Sequence, residues 1–458
     1  MKPRPLVGVV VVNYNGGELT IRCLESLRQL SWPADRLRVV LVDNASSDGV
    51  AGRVAAEWPE VDVVRSPSNV GFGGGCNLGI GRLGDADYIG LLNNDAFVEP
   101  GWLPDLVAVL EENPAVGAAS SKVLFATPFV ELQLQTRAAA PGRGDRRRLG
   151  VRVSGSRVDG EDVWGRTQLV RGFWGREPDR GEPEGQWSSD RALLRVPVGS
   201  DGTAPAACEL RLAADSDKPL LVVCGPATHE LVVGRTATWY QIPLGGSPVN
   251  VLNSAGVLLL QGGYGADRGY LEVDEGQYDE RAEVFAWSGA AVLLSRRYLD
   301  AVGLFDERFF LYYEDFDLSW RGRLAGWRYA YVPRSVARHV HAAATGQASP
   351  LQQHYVERNR LLALTRNAPR RVVGGALLRF VLVTMSYLRR DALSRAARAE
   401  APRFGTVLRR GRVFAAYLAR LPVALSDRRR IRGGRRASDA DILGWMVPAP
   451  ASVLGTDR

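Results

Sequence analysis

The feature that most constrains this chain is a set of short apolar runs in its first hundred residues, each ending in an amide or a carboxylate. Residues 6–12 lead into Asn13-Tyr14-Asn15, residues 37–42 into Asp43-Asn44-Ala45-Ser46-Ser47-Asp48, and residues 88–92 into Asn93-Asn94-Asp95. Short runs rich in Val, Ile and Leu read as strands buried on both faces, and Val61–Arg65 reads as another. Between the first two, Ile21, Leu24, Leu27 and Leu30 recur at helical spacing. Strands alternating with helices imply a mostly parallel α/β sheet covered on both sides. Polar groups just beyond those strands share the carboxyl edge, where open α/β sheets bind ligands. The apolar run at 6–12 is too short for a signal peptide and lacks a small-residue cleavage site, so it is read as the first strand.

The pattern changes between residues 129 and 249. Short strand-like runs at 193–198, 208–212, 219–224 and 230–233 are punctuated by Gly, Pro, Arg and Asp. This predicts an inserted all-β module, a small sandwich. The earlier style resumes near Val251. From Leu351 to about Arg430 the sequence is helical and rich in arginine, and residues 432–458 look loosely ordered. The 458 residues thus divide into 1–128, the first half of an α/β domain, 129–249, the β-rich module, 250–369, the second half, and 370–458, a basic helical tail.

Charge is distributed unevenly along the chain. Residues 370–436 hold eighteen arginines and no lysine against Asp391, Glu400 and Asp427, a local +15; the whole chain carries +8, so the rest carries −7. A basic tail suits an anionic lipid surface or a nucleic acid. Nucleic-acid binding wants basic residues beside exposed aromatics or polar readers. The apolar run at 372–388, bracketed by Arg370-Arg371 and Arg389-Arg390, favours lipid instead. That run is short for a spanning helix and carries Arg379, so the expectation is a helix lying in the interface. Cys23, Cys76, Cys208 and Cys224 lack the paired spacing of a zinc site or disulfide framework, which suits a reducing compartment.

Several segments carry chemistry. Amides and carboxylates at strand ends can hydrogen-bond a base and a ribose, and they also make ordinary turns and caps. The run Asn69-Val70-Gly71-Phe72-Gly73-Gly74-Gly75-Cys76-Asn77 is a glycine-rich loop opening a helix, where backbone N–H groups can approach a diphosphate. Asp95, delivered to the same edge, is an oxygen ligand suited to Mg²⁺ or Mn²⁺. The stretch 305–321 sets Asp306, Glu307, Glu314, Asp315 and Asp317 among aromatics. Desolvation and like-charge neighbours there raise carboxyl pKa values, as a general base requires. Acids at a helix start also favour its dipole, a role open to Glu314 and Asp317 while Asp315 faces the cleft. His339 and His341 alternate, so on a strand at most one faces any given site.

Six motifs in order are similar to those of inverting family 2 glycosyltransferases with the GT-A fold, in particular their bacterial rhamnosyltransferase-like and galactofuranosyltransferase-like branch. They are Val-Val-Asn-Tyr-Asn (11–15), Val-Asp-Asn-Ala-Ser-Ser-Asp (42–48), Asn-Val-Gly-Phe-Gly (69–73), Leu-Leu-Asn-Asn-Asp (91–95), Gly-Leu-Phe-Asp-Glu-Arg-Phe-Phe (303–310) and Tyr-Glu-Asp-Phe-Asp-Leu-Ser-Trp-Arg (313–321). The resemblance covers about 6–125 and 251–369, and it implies a Rossmann-like, mostly parallel sheet. By resemblance, Asn13, Asn15, Asp43 and Asn44 hold the nucleoside, and Gly71, Phe72 and Asn77 lie along the ribose and diphosphate. Asn93 and Asn94 belong to the donor side; Asp95 ligates Mn²⁺ or Mg²⁺ with His339, His341 being the fallback. Asp315 is the base, Glu314 and Asp317 help shape the acceptor site, and Trp287 and Gly289 belong to the acceptor loop. One departure is that the first acid of the family's metal motif is Asn93 here.

The resemblance implies transfer of a sugar, rhamnose first among candidates, from a dTDP- or UDP-linked donor to a glycan or polyprenyl-linked acceptor of the cell envelope. The expected location is cytoplasmic, peripheral on the inner face of the membrane. The alternative is a degenerate nucleotide-sugar-binding protein whose β insert is a carbohydrate-binding module, against which the intact Asp95 and Asp315 argue.

Overall fold

The computed structural model describes residues 4–140, 147–175, 185–199, 205–340, 349–393, 395, 401 and 404–449. His341, the fallback metal ligand, lies outside the described residues. Val7–Asn13 (β1), Leu37–Asp43 (β2), Val61–Arg65 (β3) and Tyr88–Asn93 (β4) form the parallel part of one sheet, in the order β3-β2-β1-β4. Each lies within a residue of the boundaries expected from the sequence. Beyond β4 the sheet turns antiparallel, with Ala291–Ser295 next, then Val116–Phe125 (β6), then the long strand Arg328–His339. The short strand Ala96–Val98 (β5) pairs with the end of that last strand.

Every residue of β1 is buried because helices cover both faces. Val7, Val9 and Val11 meet Leu24 and Leu27 of Glu18–Arg28 (α1) and Trp102 and Leu106 of Trp102–Glu112 on one side. Val10 and Val12 meet Cys76 and Ile80 of Gly71–Arg82 on the other. Two cores on opposite faces explain the unbroken apolar runs. Register then fixes the edge: Asn13 stands opposite Asp43, and Val12 opposite Asn93.

A second compact unit takes in Phe125–Leu252 and Leu271–Glu275. Its main path is antiparallel: Ala227–Val233, Lys218–Cys224, Phe129–Thr136, Gln186–Pro197, Arg152–Val158, Ala207–Ala213 and Thr238–Pro243. Gln186–Pro197 serves two leaves, since Gln186 and Trp187 pair with Arg152–Val158 while Arg191 to Pro197 pair with Phe129–Thr136. Leu132, Leu134, Val153, Leu194, Leu210 and Val222 form one core between the leaves, the sandwich arrangement expected of an all-β module.

The basic tail is part of the α/β unit rather than an appendage. Pro350–Asn367, Arg370–Leu388 and Gly405–Gly433 are helices, and Val413, Tyr417 and Ala424 share a core with Phe316, Trp320, Leu361 and Leu364. Part of the segment expected to be loose is folded. Ser438 and Asp441 make a reciprocal capping box for the helix Asp439–Gly444, and Met446 and Val447 pair with Leu259 and Leu260. A six-residue helix carries no readable periodicity, so only its tertiary contacts reveal it.

Candidate active site

At the sheet edge the sequence-identified amides divide by what they bond. Asn13 is fully buried; its Oδ1 accepts from the Gly16 N–H (3.0 Å), the Thr20 hydroxyl (2.8 Å) and Asn94 Nδ2 (3.2 Å), while its Nδ2 reaches Ser46 (3.1 Å). Asn44 accepts from the Val70 N–H (2.9 Å) and donates to Asn69 (3.0 Å) and the Gly71 carbonyl (3.1 Å). Asn13, Asn44 and Asn94 are therefore spent on shaping loops, the turn chemistry that strand-end amides commonly perform. Asn15 is exposed, with its Oδ1 accepting from the Ser47 N–H (2.8 Å), and Asp43 Oδ1 accepts from the Ser46 N–H (3.0 Å).

The glycine run has a packing role that the sequence left open. Gly71, Gly73, Gly74 and Gly75 lie inside the helix Gly71–Arg82 (φ +78° at Gly71). A Cβ at Gly75 would meet Val12 at 2.6 Å, and one at Gly79 would meet Val10 at 2.4 Å. These glycines let the helix lie close on β1. At Gly71 a Cβ would meet the Phe310 carbonyl oxygen at 2.1 Å, and the Phe72 N–H donates to that oxygen (2.8 Å), so the loop is stitched to the acidic-aromatic segment. Asn77 does the same from further along: its amide bonds the Phe305 carbonyl (3.0 Å) and Glu307 (3.1 Å) and accepts from the Phe305 N–H (3.1 Å). It ties helix to loop rather than presenting a free amide.

Asp95 and His339 come together although 244 positions separate them, because Ala96 pairs with His339 across the sheet. His339 Nε2 lies 3.0 Å from Asp95 Oδ1, and Nδ1 lies 3.0 Å from Asn253 Oδ1. With the ring proton given to Asn253, Nε2 turns a lone pair toward a carboxylate, and such a pair is held by a further proton or a cation. Asn93 Oδ1 is buried beside them without a hydrogen-bond partner, so the Asn that replaces the motif's first acid leaves a neutral oxygen on this edge. A carboxylate beside an imidazole and a neutral amide oxygen is a donor set that would suit Mn²⁺ or Mg²⁺. Among the described residues no group of three His, Cys, Asp or Glu side chains forms.

The acids before Trp320 separate cleanly. Asp317 is fully buried, its carboxylate held by Arg321 (3.0 Å), Arg366 (3.1 Å) and Asn367 (2.8 Å). It fastens the helix Glu314–Leu324 to Pro350–Asn367, a correction to its expected part in the acceptor site. Trp287 is likewise core, fully buried against Phe305. Asp315 alone of the three acids stays partly exposed. The Gly289 N–H donates to its Oδ2 (3.0 Å) and the Phe316 N–H to its Oδ1 (2.7 Å), which holds it against Gly289. Burial pushes its pKa up, with the two N–H donors pulling the other way. Burial, and next the charge of Asp315, push Glu314 up to about 8. The two N–H donors favour the charged form of Asp315, while burial favours the protonated form of Glu314, so environment drives the neighbouring carboxyls apart.

The raised Glu314 pKa has a consequence for stability. The folded state keeps a proton that the unfolded chain releases near the ordinary carboxyl value of 4.5, so this contribution is full below 4.5 and is lost as pH rises through about 8. The melting temperature is expected to fall as pH rises from 4.5 to about 8 and to level off above that, and Glu314→Gln, a neutral mimic, should flatten that fall while keeping turnover at pH 7. An unchanged slope in the variant would remove Glu314 as its source.

Two contributors escaped the sequence reading. Asp267 is pushed up to about 6, by burial first, with Asp315 pushing further and His339 pulling down, so it lies within electrostatic reach of both. It ends the four-residue strand Tyr264–Asp267, and nothing local marks it. Asn359 stands under the turn that delivers Asp315. Phe310, Tyr312 and Tyr313 all have left-handed backbones (φ 65°, 66° and 71°), a costly conformation for residues with side chains. Asn359 Nδ2 lies 2.8 Å, 2.8 Å and 2.7 Å from the carbonyls of Phe309, Leu311 and Tyr312, and Arg358 donates to Phe309 as well (2.8 Å). Asn359→Asp keeps the shape and loses every donor, setting a carboxylate against three carbonyls. It is expected to cost about 2–4 kcal/mol in chemical denaturation and to lower turnover. Wild-type stability in that variant would show that the turn holds itself.

Comparison with known proteins bears on this site. Residues 8–167 match the model of glycosyl transferase family 2 and residues 250–359 that of glycosyltransferase like family 2, together more than half of the chain. Over 112 residues the chain is 40% identical to N-acetylglucosaminyl-diphospho-decaprenol L-rhamnosyltransferase from two strains of Mycobacterium tuberculosis. That stretch is 23% of this chain and spans only 36% of the relative. Among solved structures, GalNAc-T7 with UDP, GalNAc and Mn²⁺ aligns at TM-score 0.44 and 13% identity, covering 93% of this chain and 58% of that one. Mannosyltransferase PcManGT from Pyrobaculum calidifontis, in complex with GDP-Man and Mn²⁺, aligns at 0.36 and 14%, covering 97% and 79%. At such scores the architecture rests on the sheet order and register given above. With both halves of the α/β unit matched in chain order, the chain belongs to glycosyltransferase family 2.

Proposed function

We propose that the chain moves a deoxyhexose, rhamnose first among candidates, from a dTDP- or UDP-linked donor to a hydroxyl of a polyprenyl-linked glycan, with inversion at the anomeric carbon. The observation that carries this reading is Asp315, a partly exposed carboxylate held by the backbone N–H groups of Gly289 and Phe316, in a fold that also brings Asp95 to His339. Asp315 accepts the proton of the acceptor hydroxyl as that oxygen forms its bond to the anomeric carbon and the bond to the diphosphate oxygen breaks. Gly289 and Phe316 hold the carboxylate in place, and Glu314, protonated, keeps a second negative charge away from it. A divalent cation held by Asp95 and His339 would supply charge neutralisation for the leaving diphosphate. The choice of rhamnose and of a polyprenyl-linked acceptor is supported by the partial match to the mycobacterial rhamnosyltransferase. The test is transfer from dTDP-β-L-rhamnose to a polyprenyl-diphosphate-linked sugar with Mn²⁺, the product's anomeric configuration being read by NMR. An α-linked rhamnoside supports the reading, and a retained β-linkage overturns the single displacement.

The protein works, on this reading, as a peripheral protein on the cytoplasmic face of a membrane. Leu378, Val381, Leu382 and Met385 recur at helical spacing along Arg370–Leu388 and are 61%, 46%, 59% and 57% exposed. That helix continues to Leu393, and its 24 residues are long and apolar enough to span a bilayer, more than the run at 372–388 suggested. Its opposite face argues for lying flat. Halfway along, Arg410 donates to Thr384 (2.8 Å) and the Phe380 carbonyl (3.2 Å) and pairs with Glu357, which spanning would carry into the hydrocarbon. An apolar stripe against the acyl boundary with arginines at the head groups is the interfacial arrangement.

A further inference from the structure

Where Pro350–Asn367 ends and Arg370–Leu388 begins, a cleft of about 650 Å³ is lined by Arg370, Arg428, Arg429 and Arg432, with Asp439 its one acid. Two of these arginines are fixed. Arg428 Nη1 donates to the carbonyls of Thr365 (2.8 Å) and Ala368 (2.7 Å), and Arg432 Nη1 to those of Asn367 (3.2 Å) and Ala368 (3.3 Å). They thereby satisfy the carbonyls that close the preceding helix. Asp439 is already shared between Arg432 and Arg435. Arg370 and Arg429 have neither a hydrogen bond nor an ion pair among the described residues, and the Nε and Nη2 groups of Arg428 likewise have none.

This leaves four arginines gathered around one carboxylate that Arg432 and Arg435 already share. Burial lowers the proton affinity of Arg428, and Arg432 and Arg370 lower it further. Arg370 also opens a 19-residue helix, at the positive end of its dipole, where an anion is favoured and a cation is not. The arrangement becomes favourable once a doubly coordinated anion enters, since guanidinium forks match phosphate oxygens. The remaining wall is apolar: Val373 and the half-exposed Leu425 line it, and Val373 leads along the helix to Leu378 and the exposed stripe.

We propose that this cleft binds the phosphate of an anionic membrane lipid, Arg370 and Arg429 closing on it against the fixed pair Arg428 and Arg432. The proposal rests on the peripheral-membrane part of the reading above and is independent of the donor and acceptor sugars. Free phosphate shares the chemistry, but the apolar wall running on into the exposed stripe favours a phosphate that brings acyl chains.

The experiment is co-sedimentation of the full-length protein with phosphatidylcholine vesicles carrying either phosphatidylglycerol or oleate at matched surface potential. Attraction by charge alone treats the two alike. Wild type is expected to prefer phosphatidylglycerol, and Arg370→Gln with Arg429→Gln to weaken that binding roughly 30-fold, on the scale of two arginines near a charged surface, and to abolish the preference. Arg409→Gln with Arg412→Gln removes the same charge about 25 Å away along Gly405–Gly433 and should leave the preference intact. Equal binding to both vesicles, or a preference that survives in the Arg370/Arg429 variant, overturns the site. A thermal shift given to wild type by inorganic phosphate alone, with no vesicle preference, overturns the lipid as its source. Turnover on a detergent-dispersed acceptor separates this from the transferase reading: the Arg370/Arg429 variant should keep it, and Asp315→Asn should lose it while still sedimenting with phosphatidylglycerol.

Discussion

Asp315→Asn is expected to lower sugar transfer roughly 10²–10⁴-fold, the usual worth of a positioned general base, with donor affinity little changed. Asparagine keeps the shape and one carbonyl oxygen for the N–H groups of Gly289 and Phe316, which now meet a carboxylate at 3.0 Å and 2.7 Å. What it lacks is a lone pair basic enough to take the acceptor's proton. The comparison within the acidic segment makes the result specific. Glu314→Gln should stay active, because Glu314 is already protonated below about pH 8. Asp317→Asn should lose stability before chemistry, since it leaves Arg321 and Arg366 facing a neutral amide in the interior. An Asp315→Asn protein with near-normal turnover, alongside a dead but folded Glu314→Gln, would move the base one position and sink the assignment.

The second large effect is expected at the donor edge. Chelation with EDTA should abolish transfer and Mn²⁺ or Mg²⁺ should restore it, while Asp95→Ala should fall to the chelated level and gain little from added metal. A loss of roughly 10²–10³-fold corresponds to the several kcal/mol of charge stabilisation that a divalent cation supplies to a leaving group. Asp95 is the only acid of residues 93–95, and the Asn93 oxygen beside it is neutral. His339→Ala should weaken metal response with a smaller loss. Full wild-type transfer in EDTA would leave the Asp95–His339 contact a structural one and require another group to meet the diphosphate.

The sequence alone determined the parallel strands, the edge they share and the β insert, because burial on two faces imposes a continuous apolar run and its end marks the edge. The same logic places Asp95 on that edge, whereas Asp315 is distinguished from its neighbouring acids in the sequence only by its resemblance to the family's motif. Tertiary structure decided which polar groups remain available. Asn13, Asn44, Asn77 and Asp317 look like site residues in the sequence, yet each is consumed by hydrogen bonds whose partners lie at other positions on the chain. Asp267 and Asn359 had no local mark, because their roles depend on partners 48 residues away at Asp315 and 47 to 50 residues away at Tyr312 and Phe309. The tail shows the same division. Its charge and apolar content are written in the sequence, but only the packing of Phe380 and Arg410 determines which face is left for a membrane, since a helix's partners, not its composition, choose its exposed side.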